Sequence, residues 1–149
     1  MGTVIPLCPS TPKQCPLFRL LYKSDNAGGG EISEGTIMFY QACGFEGIGP
    51  EELNKKMQSG DDFFLLDVRT PVENAVQAIE GSYLIPVQEL AGRVHELPKD
   101  RGIVIYCRIG NRSAYACAYL AKLGYKVKNL EGGIALWNMA GNTSVARAM

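Results

Sequence analysis

Short apolar runs and stretches of helical periodicity alternate along the chain from Ile48 onward. F-F-L-L-D-V from Phe63, Y-L-I-P ending at Pro86, I-V-I-Y at 103–106 and K-V-K-N-L at 126–130 have strand length. The near-continuous apolar character of the first and third suits strands covered on both faces. Between them lie the helices. Gly49-Pro50-Glu51-Glu52-Leu53 puts proline at a first helical position with acids behind it, where exposed amides favour negative charge, and predicts a helix to about Ser59. Thr70-Pro71-Val72-Glu73 opens a second helix with Thr70 as its cap. Further helices are expected from about Val87 to Glu96, from about Asn111 to Leu123, and through Ile134, Leu136 and Trp137. Strands and helices alternating in this way predict an α/β fold, a parallel sheet with helices on both faces. No internal repeat is present.

Residues 1–47 follow no such rhythm. Pro6, Pro9, Pro12 and Pro16 crowd the start and G-G-G stands at 28–30, the punctuation of a loop or linker. T-I-M-F-Y-Q-A-C within it is either a short strand or one buried helical turn. The expected organisation is an extension of unassigned structure over 1–47, one domain over 48–141 and a flexible tail over 142–149.

Composition narrows the function classes. The 149 residues carry 15 basic and 15 acidic side chains, a balance that argues against a generic nucleic-acid binder. The charges are unevenly spread: Glu31 to Glu80 holds ten acids against three bases, and Gln88 to Lys128 eight bases against three acids. The second half is either a set of solvated helix faces or a field that draws anions. No apolar run reaches about 18 residues, so no membrane span is expected. The opening M-G-T-V-I-P lacks the charge and apolar block of a signal peptide, and a cytoplasmic location is expected. Five cysteines (Cys8, Cys15, Cys43, Cys107, Cys117) form an odd set that reads as reduced thiols. Cys117, among small apolar residues on a helix, reads as a core thiol, as does Cys43.

The candidate chemistry sits at C-R-I-G-N-R-S, residues 107–113, between the strand I-V-I-Y and the following helix. Ligands collect beyond the carboxyl ends of strands in open parallel sheets. Cys107 lies there, in a turn that Gly110 allows because glycine tolerates positive φ. Loop and first-turn amides can converge on one point and cradle an anion. The helix dipole and Arg108 and Arg112 favour the thiolate, the reactive form of cysteine, and suit a substrate bearing sulfonyl or phosphoryl oxygens. The one histidine, His95, falls on an expected surface helix, so activation is assigned to the loop rather than to a general base.

Four pieces in order resemble a rhodanese domain, the sulfurtransferase fold shared with some dual-specificity phosphatases: L-L-D-V-R-T-P-V-E (65–73), G-S-Y-L-I-P (81–86), I-V-I-Y-C-R-I-G-N-R-S (103–113) and N-L-E-G-G-I-A-L-W (129–137). The resemblance spans about residues 48–141 and implies a rhodanese-like sheet of about five strands. It implies that Cys107 takes a sulfane sulfur from a donor such as thiosulfate, holds it as a persulfide and passes it to a thiophilic acceptor. Arg108, Ile109, Gly110, Asn111, Arg112 and Ser113 would bind the transferred sulfur, with Asp67 and Arg69 nearby either as supporting residues or as a structural ion pair that Glu73 could join. No cofactor or metal is implied. Cys107 to Arg112 counts six residues, as in the sulfurtransferases, whereas the phosphatase relatives have seven. The smaller ring argues against a phosphoryl substrate.

Two departures stand out. Gln77-Ala78-Ile79 replaces a frequent G-H-I, and Ile109 stands where a small hydroxyl residue is common. Both bear on donor preference more than on activity. The stretch E-L-P-K-D-R-G-I-V-I-Y-C-R-I-G-N-R-S and the ending V-K-N-L-E-G-G-I-A-L-W are similar to the C-terminal rhodanese domain of molybdopterin-synthase adenylyltransferase/sulfurtransferases. That likeness implies protein partners, a cysteine desulfurase or a ubiquitin-like sulfur carrier, beside a small anionic donor. Cys15-Pro16 and Y-Q-A-C-G could be remnants of the join after an adenylylation domain that this chain lacks. Cys8 and Cys15 are too far apart for a zinc C-x-x-C pair.

Overall fold

The computed structural model describes residues 44–145. Cys8, Cys15, Cys43, the T-I-M-F-Y-Q-A-C segment and residues 146–149 lie outside the described residues. The strands are β1 (Glu46–Ile48), β2 (Phe63–Asp67), β3 (Tyr83–Leu84), β4 (Gly102–Tyr106) and β5 (Val127–Leu130). They form one sheet in the order β1-β5-β4-β2-β3, and every pairing is parallel. The helices are α1 (Pro50–Ser59), α2 (Pro71–Val76), α3 (Leu90–Arg93), α4 (Asn111–Lys122) and α5 (Gly133–Met139), with a 3-10 turn at Val94–Glu96. The expected α/β architecture is present.

Strand period two divides the apolar runs between two cores. Leu66, Ile103 and Ile105 pack on one face against Leu90 of α3 and Ala116, Cys117 and Leu120 of α4. Leu65, Val104 and Tyr106 face the other way, toward Leu53 of α1 and Ile134 and Trp137 of α5. The unbroken runs F-F-L-L and I-V-I-Y are thus two interleaved faces, each covered by helix. The β2–β4 register sets Asp67 opposite Tyr106, so both chains leave the sheet side by side at its carboxyl edge.

Local expectations hold where a cap or proline carries them. Helix α1 starts on Pro50 and ends at Ser59. Thr70 caps α2 in a reciprocal box, its Oγ1 accepting from Glu73 N while the Glu73 carboxylate accepts from Thr70 N. Three expectations differ. Strand β1 extends regular structure below residue 48, and its Ile48 pairs with Leu130 at the sheet edge. A three-residue strand between glycines has no visible period. The helix expected over 87–96 is broken into turns, because Pro86 precedes it, Gly92 interrupts it and its bonds are short-range: Glu89 N to Pro86 O at 2.8 Å, Gly92 N to Glu89 O at 3.1 Å and Leu97 N to Val94 O at 3.0 Å. His95 is exposed on the last of these turns.

The third difference concerns the expected tail. Residues 143–145 are tied down: Val145 and Ala78 exchange backbone bonds at 2.8 Å, and Trp137 Nε1 donates to Thr143 O at 3.0 Å. Gln77, from the departing Q-A-I segment, donates to Ser144 Oγ and accepts from Asn138 Nδ2 of α5. Ala78 is fully buried, and its pairing with the returning chain is not revealed by the sequence pattern alone.

Tyr106 joins the core under α1 and α5 to the sheet edge. Its hydroxyl accepts from Ile79 N at 3.1 Å and donates to Ser82 Oγ at 2.9 Å, all fully or nearly buried. Tyr106→Phe leaves the Ile79 amide without its partner, and we expect a loss of about 1–3 kcal/mol in urea unfolding with the fold retained. An unchanged midpoint would show that the hydroxyl anchors nothing.

Candidate active site

Strand β4 carries the chain to Cys107 at the carboxyl edge of the sheet, and α4 begins at Asn111. Three residues make the turn between Cys107 and Asn111. Gly110 makes it with φ +107°, a conformation that a side chain resists. Its amide thereby points back at the sulfur, with Gly110 N 3.0 Å from Cys107 Sγ. Ser113, in the first turn of α4, brings its Oγ to 3.3 Å from the same sulfur.

The outer side of the loop is pinned by α5. Ile134 N donates to Cys107 O at 2.9 Å, and Ala135 N donates to Arg108 O at 3.0 Å. Gly110 O accepts from Ala114 N at 3.1 Å and from Asn129 Nδ2 at 3.2 Å. Because each peptide is planar and trans, drawing these carbonyls outward turns the amides of Arg108, Ile109 and Asn111 the opposite way. The E-G-G signature now has a physical cause. Gly133 has φ +59°, and a Cβ there would fall 2.5 Å from Cys107 O and from Arg108 O. Any side chain would push α5 off the loop.

The loop arginines differ in their engagement. Arg112 is bidentate with Glu73 of α2, at 2.8 Å from each guanidinium nitrogen to its carboxylate oxygen. Arg112 thereby clamps α4 to α2, and Glu73 first, then the nearby Cys107, favour its charged form against partial burial. Arg108 is exposed and has no ion-pair partner among the described residues. The Glu73 carboxyl is held down to about 2, chiefly by Arg112, with Thr70 assisting and partial burial opposing. Cys107 is 1% exposed, while Ile109 beside it is 36% exposed at the rim.

Asp67 and Arg69 lie beneath this edge as a structural pair. Arg69 Nε lies 3.0 Å from Asp67 Oδ1, and its terminal nitrogen NH2 lies 2.8 Å from Oδ2. Arg69 also donates to Gln77 O at 2.6 Å and stacks over Tyr106, while Asn74 Nδ2 donates to Asp67 Oδ2 at 2.8 Å. Glu73 meets Arg69 only through its backbone carbonyl, at 3.4 Å. The expected third partner thus belongs to Arg112 instead.

Cys117 is fully buried on α4, and burial pushes its thiol well above the usual range, as befits a core residue. Asn129 escaped the sequence reading although it is fully buried at the site. Its Oδ1 lies 2.5 Å from Ser113 Oγ, and its signal was only a polar residue inside the β5 run. Among the described residues no three His, Cys, Asp or Glu side chains gather as a metal site, and no helix is long and apolar enough to cross a membrane.

A model of the Rhodanese-like domain family matches residues 49–140. A sulfurtransferase of Allochromatium vinosum is 44% identical over 100 residues, covering 66% of this chain and 94% of that relative. A probable adenylyltransferase/sulfurtransferase of Mycobacterium tuberculosis, MoeZ, is 41% identical over 100 residues, covering 65% of this chain but only 26% of that longer protein. Among solved structures, a rhodanese-related protein from Thermoplasma volcanium superposes with a TM-score of 0.65 at 32% identity, covering 69% of this chain and all of that one.

Two outcomes follow from the geometry. Glu73 has a depressed folded-state pKa, so its contribution is fully present above its ordinary value of 4.5 and is lost as pH falls through about 2. Glu73→Gln should therefore flatten the fall in stability across that window, measured by urea midpoints at stepped pH; parallel curves would contradict the clamp. Gly133→Ala should cost at least about 1–2 kcal/mol and slow alkylation of Cys107 by iodoacetamide, because α5 must leave the loop. Wild-type alkylation in this variant would show that the loop holds its shape unaided.

Proposed function

The chain belongs to the rhodanese-like domain family, and from that premise we propose that it is a sulfurtransferase working through a Cys107 persulfide. The observation that carries this reading is the inward Gly110 amide 3.0 Å from a sulfur held in a six-residue loop. In the proposed reaction the Cys107 thiolate attacks the outer sulfur of thiosulfate. The donor's sulfur–sulfur bond breaks, its electron pair leaves with sulfite, and Cys107 carries the persulfide. The inward amides would hold the terminal sulfur's negative charge, the role preorganised donors play wherever charge develops in a reaction. A thiophilic acceptor then attacks that terminal sulfur and restores the thiolate.

The roles of Arg108, Ile109, Asn111, Arg112 and Ser113 follow from the same scheme. Arg108 at the rim would attract an anionic donor, and Arg112 would keep α4 in place through Glu73. Ile109 would set donor preference. Asp67 and Arg69 would support the edge from below.

A second reading gives the sulfur protein partners, such as a cysteine desulfurase as donor or a ubiquitin-like carrier as acceptor. The likeness to an adenylyltransferase/sulfurtransferase favours it, as does the exposure of Val72, Val76, Ile109, Leu136 and Met139. A phosphatase reading fits a six-residue ring poorly.

After thiosulfate treatment, intact-mass and peptide analysis should find one added sulfur on Cys107, with sulfite released in equal amount. Cyanide should remove it as thiocyanate. Cys107→Ser should lower turnover at least about a thousandfold. Retained turnover or sulfur uptake at another cysteine would overturn the assignment. Slow turnover with thiosulfate but rapid uptake from a protein persulfide would establish the second reading instead.

A further inference from the structure

The two arginines of the Cys107 loop are held differently. Arg108 is exposed at the rim and has no ion-pair partner among the described residues. Arg112 stands next to Ser113, whose Oγ is 3.3 Å from the sulfur, and the charge of Cys107 acts on its guanidinium. That guanidinium is met from α2 by both oxygens of Glu73, at 2.8 Å each. Thr70 N and Oγ1 donate to Glu73 Oε2 at 2.9 and 3.0 Å, so the carboxylate is fixed from behind as well. Held down to about 2, the Glu73 carboxyl is an anion at neutral pH. The two side chains are 28% and 31% exposed, so the pair borders solvent rather than lying sealed in the core. Asp67 and Arg69 form a second pair of zero net charge at the end of β2. Among the described residues, Arg108 is thus the loop cation without a countercharge.

We propose that Glu73 is a positioning residue that sets the charge class of the donor: by holding Arg112 it gives the mouth a pair of zero net charge, and so selects against doubly charged donors in favour of singly charged or neutral ones. On the persulfide reading above, on which this step rests, thiosulfate brings two negative charges to a mouth with one uncompensated cation. A thiosulfonate, R–SO2–S−, brings one. The Cys107 thiolate attacks its outer sulfur, the sulfur–sulfur bond breaks, and the electron pair leaves with the sulfinate R–SO2−. The same persulfide forms on Cys107. Without Glu73, Arg112 would turn an unbalanced positive charge and a fork of N–H donors to the donor's oxygens, and the doubly charged donor would gain more from it.

A clamp that only fixed α4 would treat all donors alike. Charge does not. Glu73→Gln leaves Arg112 unbalanced and adds one positive charge to the mouth, whereas Arg112→Gln leaves Glu73 unbalanced and adds one negative charge. Removing both restores zero. The two single variants break the same clamp, yet they move the field in opposite directions. Glutamine suits the first variant because its side-chain oxygen can still accept from Thr70 N at the third helical position of the capping box.

The test uses the full chain and two alkylating probes, neutral iodoacetamide and singly charged iodoacetate, with the Cys107 peptide followed by mass spectrometry at one pH. The ratio of the two rates within one variant cancels any change in thiolate fraction and reads the field at the sulfur. Relative to wild type, the iodoacetate-to-iodoacetamide ratio should rise about threefold in Glu73→Gln and fall about threefold in Arg112→Gln, the order expected of one unit charge nearby in a water-like dielectric. The double variant should return near wild type, and both single shifts should shrink at high salt. With cyanide as acceptor, Glu73→Gln should raise kcat/KM for thiosulfate about threefold relative to methanethiosulfonate, chiefly through KM. Single variants that move the alkylation ratio in the same direction, or leave it unmoved, overturn the proposal, as does an unchanged donor preference. Failure of wild-type protein to take sulfur from either donor would sink the persulfide reading, while the alkylation ratios would still decide whether Glu73 sets the charge of the mouth.

Discussion

The site depends on two backbone hydrogen bonds from α5 to the loop, Ile134 N to Cys107 O and Ala135 N to Arg108 O. A loop of this size could turn its carbonyls toward the sulfur or away from it, and only the second leaves amides to face a negative charge. These bonds impose the second. They require α5 to start almost in contact with the loop backbone, and Gly133 makes that approach possible. They also require α5 to be held from behind, which Trp137 and Ile134 do in the core shared with Val104 and Tyr106. The last helix is therefore as much part of the cysteine site as the loop itself.

Around this framework the polar groups are paired in two layers. Asp67, Arg69, Asn74 and the Tyr106 hydroxyl form a satisfied network beneath the sheet edge. Buried ions are costly unless their lone pairs and protons are all met, and breaking one partner leaves the other stranded. Glu73 and Arg112 form the upper layer, joining α2 to α4 and closing the capping box of Thr70 in the same carboxylate. The segment D-V-R-T-P-V-E supplies both layers. Its charged residues set the position of the loop without touching the sulfur in any described contact.

Much of this was legible from the chain because local rules carry it. Pro50, Pro71 and Thr70 mark helix starts whatever the fold around them, and F-F-L-L and I-V-I-Y are too short and too apolar for surface helices. The C-R-I-G-N-R-S stretch announces its turn through Gly110. What was hidden depends on distant partners. Arg112 looks like a free cation until α2 places Glu73 beside it. Asn129 is one polar residue in a strand, and nothing local says that β5 sets it against Ser113. Thr143 to Val145 look like a tail because their anchors, Trp137 and Ala78, lie elsewhere in the chain. Gly92 and Pro86, by contrast, are local signals of the breaks within 87–96.

The central claim is that the loop is shaped to hold one extra sulfur on Cys107 against inward amides. A crystal structure of the protein after thiosulfate exposure tests it most directly. The account predicts a single additional atom bonded to Cys107 Sγ, within hydrogen-bonding distance of loop amides, with the bonds from Ile134 and Ala135 intact. An unmodified Cys107 under full donor exposure, or a tetrahedral oxyanion seated in the loop with no sulfur–sulfur bond, would contradict it.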